Sequence, residues 1–146
     1  YLLIDLPPGT SDIHLTLVQL IKLTGAVIVT TPQKVALSDA TKGLQFFNQA
    51  GINVPLLGLV ENMAYFTPAE LPENKYYLFG KDGGKMLAEK YKVPFLGEVP
   101  LIQAIREAGD EGKPIASTDG LSANAFIQIA TNLAQQIAIS NAQSNA

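Results

Sequence analysis

The chain has 146 residues, of which 47% are hydrophobic and 16% are charged, the composition of one ordinary globular domain. Its net charge of −3 and its ten scattered Lys and Arg residues argue against nucleic acid as a partner, because phosphate binding needs clustered cations. Cysteine is absent and His14 is the only histidine, so these residues offer no disulfide, no thiolate nucleophile, no iron–sulfur ligand and no multi-histidine metal site.

The chain begins inside an apolar run at residues 2–6, which the Pro-Pro-Gly at 7–9 closes. This pattern predicts a short buried β-strand. Because a domain seldom opens on a buried strand and no methionine precedes it, we expect these residues to be the carboxyl-terminal portion of a longer domain. Thr10 or Ser11 can cap a following helix, and Asp12 in its first turn suits the helix dipole.

Apolar residues at helical spacing alternate with β-branched runs through the rest of the chain. The predicted elements are a helix from residue 13 that ends at Gly25, a strand at 26–29, a helix at 35–50 with Gly51 as its left-handed stop, a strand at 54–60, an aromatic loop at 64–80, a helix at 83–91, a strand at 95–99, and helices at 102–108 and 121–139. Residues 140–146 are predicted to be a disordered tail.

Strands that are apolar runs, separated by helices, predict a parallel sheet covered on both faces. The predicted fold class is therefore α/β, a doubly wound and mostly parallel sheet, in a single domain over residues 1–139. No apolar run reaches the ~18 residues of a membrane span, so we expect no membrane partner. The absence of cysteine fits the cytoplasmic location that we expect, although it is also compatible with export. Ligands of such sheets lie at the carboxyl ends of the strands, where the informative residues are expected.

A carboxylate, Asp5, lies in the first apolar run. A charge at the end of a buried strand is costly unless a positive group meets it. An apolar strand that ends in Asp is the Walker B arrangement, in which the carboxylate holds magnesium, usually through water. Gly9 in the adjoining turn offers an N–H that a γ-phosphate can approach. The alternative is that Asp5 only caps the next turn.

Two later strand ends carry residues suited to a purine base. Asn62 follows the strand at 54–60, and its amide matches the donor and acceptor pattern of adenine, although an Asn that caps the next turn is the alternative. Guanine would favour Asn-Lys-x-Asp, and the Asn-Lys at 74–75 lacks that Asp. Pro100 fixes the backbone so that Leu101 can flank a purine ring, with a plain strand-to-helix turn as the alternative.

Taken together, the segments IDLPPGTSD, LTLVQL, GAVIVTTPQKVALSD, LGLVENM, LFGKDGG, VPFLGEVPL and IREAGDEGKP resemble the Mrp/ApbC family of MinD-like P-loop ATPases, which are iron–sulfur cluster carriers. The resemblance covers residues 1–116, and VTTPQKVALSD joined to ENM is specific to this family among MinD-like ATPases. It implies a homodimer that binds ATP and Mg²⁺ and delivers clusters to recipient apoproteins.

The resemblance also implies a role for each matching residue. Asp5 is then the Walker B carboxylate, Gly9 and Asp12 belong to the segment that senses the γ-phosphate, Asn62, Pro100 and Leu101 line the adenine pocket, and Gln33 and Asp39 lie near the partner subunit. For Gln33 and Asp39, capping of the helix start after Pro32 is an equal alternative.

The chain departs from the family pattern at two places. Ser11 stands where the family usually has glycine, and the Cys-x-x-Cys that usually follows ENM is replaced by Ala-Tyr-Phe-Thr at 64–67. We therefore expect no iron–sulfur ligand in this chain. The carboxylates of Glu70 and Glu73 are hard ligands that suit a cluster poorly, and we expect them to be solvated.

The chain has no Gly-x-x-x-x-Gly-Lys-Ser/Thr, and the glycine-rich stretch at 80–85 predicts a helix start instead. We expect the parent protein to be an ATPase and these residues by themselves to be inactive. Two other functions stay open. One is a MinD/ParA-like positioning ATPase, which would want a basic amphipathic helix that 121–139 does not provide, and the other is a non-enzymatic interaction domain on the same fold.

Overall fold

The structure is a computed structural model that describes residues 1–9, 12–68, 70–71 and 73–144. Its elements are helix α1 (Asp12–Leu20), strand β1 (Ala26–Thr30), helix α2 (Lys34–Phe47), strand β2 (Leu56–Glu61), helix α3 (Gly83–Tyr91), strand β3 (Phe95–Glu98), helix α4 (Gln103–Asp110), a 3-10 turn (Ile115–Ser117) and helix α5 (Leu121–Ser144). The three strands pair in the order β1-β2-β3, and both pairings are parallel.

Helices cover both faces of the sheet because neighbouring residues of β2 point to opposite sides. Leu59 packs in one apolar cluster with Leu44 of α2 and Ala88 of α3. Val60, the next residue, packs in another cluster with Leu96, against which α5 residues such as Ile129 lie. The predicted α/β class with a parallel sheet between helices is therefore confirmed.

Two glycines allow the strands to pack closely. A Cβ on Gly58 would stand 2.4 Å from Cγ of Leu96, so β2 and β3 keep this register only because residue 58 has no side chain. Gly25 was predicted to end the first helix, but α1 ends at Leu20. A Cβ on Gly25 would meet Leu57 at 2.4 Å, so packing against β2 is the reason for glycine there.

The predicted strand at residues 2–6 is wrong. The chain from Tyr1 to Pro7 has no regular secondary structure, and Leu2 and Leu3 are strongly exposed. A strand needs a neighbour to accept its backbone hydrogen bonds, and the described sheet consists of β1, β2 and β3. An apolar, β-prone sequence therefore does not suffice to form a strand at this place.

The other elements differ from prediction mainly at their ends. Strand β2 begins at Leu56 instead of residue 54, and α2 ends at Phe47, before the left-handed Gly51. The predicted caps Thr10 and Ser11 lie outside the described residues. Helix α5 continues to Ser144, so the disorder predicted from residue 140 is wrong as far as 144. Neither Gly nor Pro occurs after Gly120, so no helix breaker stops α5 earlier.

Among the described residues, no helix combines the length and the apolar character that crossing a bilayer requires.

Candidate functional site at the carboxyl edge of the sheet

The carboxyl ends of the three strands meet at one edge, as predicted for a parallel sheet. The N–H of Asn62 donates to the carbonyl of Thr30 at 2.7 Å, which ties the end of β2 to the end of β1. The N–H of Val99 donates to the carbonyl of Glu61 at 2.8 Å, which ties the end of β3 to the same point. The backbone around Asn62 is therefore fixed from both sides.

The side chain of Asn62 makes a local contact in this structure. Its Oδ1 accepts the N–H of Met63 at 2.9 Å, and Met63 has a left-handed φ of 53°. An Asn oxygen that satisfies its neighbour's N–H stabilises such a tight turn. This is the contact that the turn-capping alternative predicts. A role of Asn62 in adenine recognition stays a prediction, and it would use the Nδ2 amide or a rearranged side chain.

Pro100 and Leu101 run beside the segment that follows Asn62. The N–H of Ala64 donates to the carbonyl of Val99 at 3.0 Å, and the N–H of Leu101 donates to the carbonyl of Tyr65 at 2.7 Å. Pro100 is fully buried. The structure thus brings together the two sequence segments, around 62 and 100–101, that were predicted to flank a purine.

An open, mostly apolar cavity of about 450 Å³ lies next to this edge. Its lining residues are Phe66, Leu78, Leu101, Ile102, Gln103 and Arg106. Leu101 is the predicted site residue among them, and Asp5, Gly9 and Asn62 do not line this cavity. The cavity lies within the size range of small-ligand pockets.

The predicted site residues near the amino terminus, Asp5, Gly9 and Asp12, do not lie at the end of a strand. Asp5 is exposed and follows an unpaired segment, so it does not stand at the end of a strand. Gly9 has a φ of +87°, and apart from its chain neighbours no heavy atom of the described residues lies within 4 Å of the place where a Cβ would be. Asp12 lies in the first turn of α1, as predicted. That these residues join Asn62 and Pro100 in one site stays a prediction.

Glu61 is the residue that the sequence analysis missed. It ends β2, it is only 1% exposed, and one carboxylate oxygen, Oε2, accepts the N–H of Gly84 in the first turn of α3. Burial raises the pKa of Glu61 above its ordinary value of 4.5; the bond from Gly84 opposes this, and the negative charges of Glu98 and Asp82 add to it. The same rule that singled out Asp5, an acid that closes an apolar run, singles out Glu61 in LLGLVE.

The start of α3 fits closely against this edge. A Cβ on Gly84 would lie 2.9 Å from Oε2 of Glu61, and a Cβ on Gly83 would lie 2.9 Å from the carbonyl oxygen of Pro32. The predicted helix start in the glycine-rich stretch is confirmed, since α3 begins at Gly83. Both glycines therefore let the backbone of α3 lie close to the side chain of Glu61 in β2 and to Pro32, which follows β1.

The loop at 64–80 has no thiol at the position of the family's cysteine pair. Tyr65 is buried there, and the Nζ of Lys75 lies 3.9 Å from the centroid of its ring. Glu70 and Glu73 are exposed, as predicted. In the part of the chain that the structure describes, no group of three or more His, Cys, Asp or Glu residues is placed to hold a metal ion. These residues therefore do not fit a cluster.

Gln33 and Asp39, predicted near a partner subunit, both lie on the surface around the start of α2. Gln33 precedes the helix and its Oε1 accepts the hydroxyl of Thr31 at 3.1 Å, while Asp39 pairs with Lys42 at 2.9 Å. Exposed pairs of this kind contribute little to stability.

Comparison with solved structures identifies the class of protein. A nucleotide-binding protein from Archaeoglobus fulgidus, solved in complex with ADP, matches with a TM-score of 0.64 and 40% identity over 74% of this chain and 43% of that one. The MinD protein of Pyrococcus horikoshii, solved with Mg-ADP, matches with a TM-score of 0.57 over 80% of this chain and 44% of that one; at 24% identity it shows the fold alone. The fold is that of the P-loop NTPases.

The family follows from the sequence. A model of the ParA family, described as NUBPL iron-transfer P-loop NTPase, matches residues 1–138, and the chain belongs to this family. An iron–sulfur cluster carrier protein of Synechocystis is 51% identical over 138 residues, 94% of this chain and 38% of that protein. The iron–sulfur cluster transfer protein NUBPL of Dictyostelium discoideum is 45% identical over 146 residues, 99% of this chain and 44% of that protein. The chain thus spans about two-fifths of the length of these relatives.

Proposed function

We propose that these residues form part of an ATP-binding and ATP-hydrolysing iron–sulfur cluster carrier and supply one side of its nucleotide site. The family membership over residues 1–138 and the carrier names of the relatives support the proposal. The observation that carries it is the convergence of the Asn62 turn and the Pro100–Leu101 turn, which the bond from Leu101 N–H to the Tyr65 carbonyl holds together. Ligands of parallel sheets bind at such an edge.

In this proposal Asn62, Pro100 and Leu101 contact the adenine. The amide of Asn62 supplies hydrogen bonds to the base edge, and the rigid Pro100 presents Leu101 to the ring face. The apolar cavity beside Leu101 offers room for a flat, apolar group. A base that enters here would displace water from an apolar wall, which favours binding.

The amino-terminal residues serve the phosphates in this proposal. Asp5 orients Mg²⁺ through water, a role for which a single exposed carboxylate is suited. Gly9 and Asp12 respond to the γ-phosphate, and the open space at the left-handed Gly9 supports an approach to its backbone. Magnesium would neutralise charge on the phosphates during hydrolysis, and these residues hold and orient what binds.

The cluster is cargo in this proposal, and the residues described here do not hold it. The chain contains no cysteine, and carboxylates are hard ligands that suit the soft iron–sulfur site poorly. Any cluster that the protein carries is therefore bound by ligands outside these 146 residues. Homodimerisation, delivery to recipient apoproteins and a cytoplasmic location complete the proposal.

A positioning ATPase of the MinD type is the second candidate, and the absence of cysteine favours it. Anaerobic analysis of iron and acid-labile sulfide separates the two, using protein expressed from the complete coding sequence. Bound iron and sulfide support the carrier. A protein that hydrolyses ATP but never acquires iron or sulfide after reconstitution would overturn the carrier role and favour the positioning ATPase.

Calorimetric titration with Mg-ADP tests the nucleotide site in the same protein. We expect Asn62→Ala to weaken ADP binding by about tenfold, because a lost hydrogen bond to a base is worth about 1–1.5 kcal/mol. Gln49→Ala, an exposed position in the turn after α2, is the control and should bind as the parent does. Equal affinity of the Asn62→Ala variant and the parent would exclude Asn62 from the site.

A further inference from the structure

The end of β2 presents two side chains in succession that face different neighbours. Glu61 is buried and bonded to the Gly84 N–H of α3, and Asn62, the next residue, caps the N–H of Met63 in an exposed turn. The backbone of Glu61 also accepts the N–H of Val99 at 2.8 Å. One residue thus connects β2, the exit of β3 and the start of α3.

We propose that Glu61 is a positioning residue for base recognition, which acts by holding α3 against the edge that bears Asn62. This inference rests on the proposed nucleotide site. Glu61 itself does not contact the nucleotide, since its carboxylate points to Gly84 inside the molecule. Its effect reaches the base through the backbone, because Asn62 is the next residue in the chain and its N–H is bonded to the carbonyl of Thr30.

The contact is directional, because a helix start presents N–H groups that lack partners within the helix. A carboxylate is the strongest acceptor for such a donor, and it also interacts favourably with the helix dipole. Glycine at 84 is required for this approach, since a Cβ there would lie 2.9 Å from Oε2 and 3.1 Å from Cβ of Glu61. The contact thus requires glycine at 84 and an oxygen acceptor at 61.

Among the described groups that act on the pKa of Glu61, no neighbouring positive charge stabilises its ionised carboxylate. The charged groups that act on its pKa, Glu98 at the end of β3 and Asp82 before α3, are both negative. A buried carboxylate with negative neighbours is costly to keep, whereas a neutral residue of the same shape would be tolerated. The acceptor geometry toward Gly84, which a glutamine can also supply, is therefore what the site uses.

The test compares Glu61→Gln, which keeps an oxygen acceptor for Gly84, with Glu61→Met, which keeps the length and removes the acceptor. In protein expressed from the complete coding sequence, calorimetry with Mg-ADP and Mg-GDP gives the preference for adenine as a ratio of Kd values. We expect Glu61→Gln to keep the parent's ratio. Glu61→Met should reduce the ratio by about tenfold, because residue 61, which directly precedes Asn62, is then no longer bonded to α3.

Glu98→Gln is the matched control, since it removes a neighbouring charge without touching the bond to Gly84. It should leave the ratio unchanged. A merely structural role of Glu61 would lower thermal stability in Glu61→Met and leave the ADP to GDP ratio of the folded protein as in the parent. That result would overturn the inference while leaving the nucleotide site intact.

Gly84→Ala provides a second approach should Glu61→Met fail to fold. The added methyl group would lie too close to Oε2 of Glu61 and so would separate α3 from the carboxylate, while Glu61 itself is unchanged. We expect the same loss of adenine preference. An unchanged ratio in Gly84→Ala overturns the inference, and a parent protein that binds neither nucleotide overturns both the inference and the proposed site.

Discussion

The amino-terminal segment and the end of β2 have the same kind of sequence, an apolar run with an acidic residue at its close, but they lie in opposite environments. Leu3 is 81% exposed, whereas Leu59 is fully buried. Asp5 is exposed in an unpaired segment, whereas Glu61 is buried and bonded to α3. The same pattern has therefore produced a strand in one region and none in the other.

The difference lies in the neighbours of each segment. The N–H of Leu59 donates to the carbonyl of Pro94 at 2.8 Å, and β1 and β3 flank β2 on both sides. Residues 2–6 belong to none of the strand pairs in the described sheet. Apolar sequence supplies the driving force for burial, but a partner strand must supply the hydrogen bonds.

The largest expected effect comes from removing one leucine in each region of the 146-residue chain. Leu59→Ala should lower the free energy of unfolding by about 2–5 kcal/mol, because it leaves a cavity in a fully buried position. Leu3→Ala should change it by less than about 0.5 kcal/mol, because the side chain is exposed. Urea denaturation of both variants gives the two values.

Equal losses in the two variants would show that residues 2–6 are packed in solution and would break the comparison. A second test makes Leu59→Ala and Leu3→Ala in protein expressed from the complete coding sequence. If Leu3→Ala lowers the free energy of unfolding only in that longer protein, residues outside these 146 bury this segment.

A smaller effect is expected from adding a methyl group where β2 meets β3. Gly58→Ala should lower the free energy of unfolding by about 1–3 kcal/mol, because its Cβ would stand 2.4 Å from Cγ of the buried Leu96. Gly109→Ala in α4 is the control, because a Cβ there would meet no described heavy atom within 4 Å beyond its chain neighbours and the backbone of its own helix. It should stabilise the protein by up to about 1 kcal/mol through helix propensity. Chemical denaturation measures both, and a neutral Gly58→Ala would contradict the close packing of these strands.

The buried acid at the end of β2 should make stability depend on pH. The folded state holds a proton on Glu61 up to a higher pH than the unfolded state does, because burial raises its pKa above 4.5. The contribution of this group to stability therefore decreases as pH rises above 4.5 toward the folded-state pKa. Glu61→Gln should remove this decrease, which amounts to at most about 1.4 kcal/mol per pH unit for one proton.

Denaturation curves of the parent and of Glu61→Gln across this pH range provide the measurement. Gln49→Ala, at an exposed position without a titratable group, is the control and should leave the pH dependence of the parent unchanged. Parallel curves for the parent and Glu61→Gln would mean that Glu61 titrates alike in both states.

The smallest expected effect concerns the contact between α5 and β3. The Nδ2 of Asn132 donates to the carbonyl of Leu96 at 2.7 Å in a partly buried position. Asn132→Ala should lower the free energy of unfolding by about 0.5–1.5 kcal/mol, because the carbonyl loses its donor. Gln135→Ala, at an exposed position of the same helix, should have no comparable effect when both are measured in urea. Equal stability of the two variants would show that water replaces the Asn132 donor.

The fold class and most elements were predictable from the sequence because their signals are local. The β-branched run at 26–29 and the apolar run ending at Val60 became β1 and β2, and the glycine-rich stretch became the start of α3. Glycine at 83, after Asp82 in the left-handed region, marks that start. Element ends were predicted less well, since capping and packing at each end decide them.

The candidate site was predictable in part. The rule that parallel strands end at one edge correctly placed the segment after Asn62 beside Pro100 and Leu101. The burial of Glu61 and its hydrogen bond were not predicted, because its partner Gly84 lies 23 residues away in the sequence and meets it only in the fold. Asp5 was assigned to a strand because its apolar context resembles that of a buried strand.

The sequence by itself determined the α/β class, the order of helices and strands, the absence of thiol ligands and the family to which the motifs point. Only the tertiary structure decided which apolar runs form the sheet and which acid is buried. The physical reason is that helical periodicity and turn residues act between near neighbours in the chain. Strand pairing and the burial of a carboxylate depend on groups that folding brings from elsewhere.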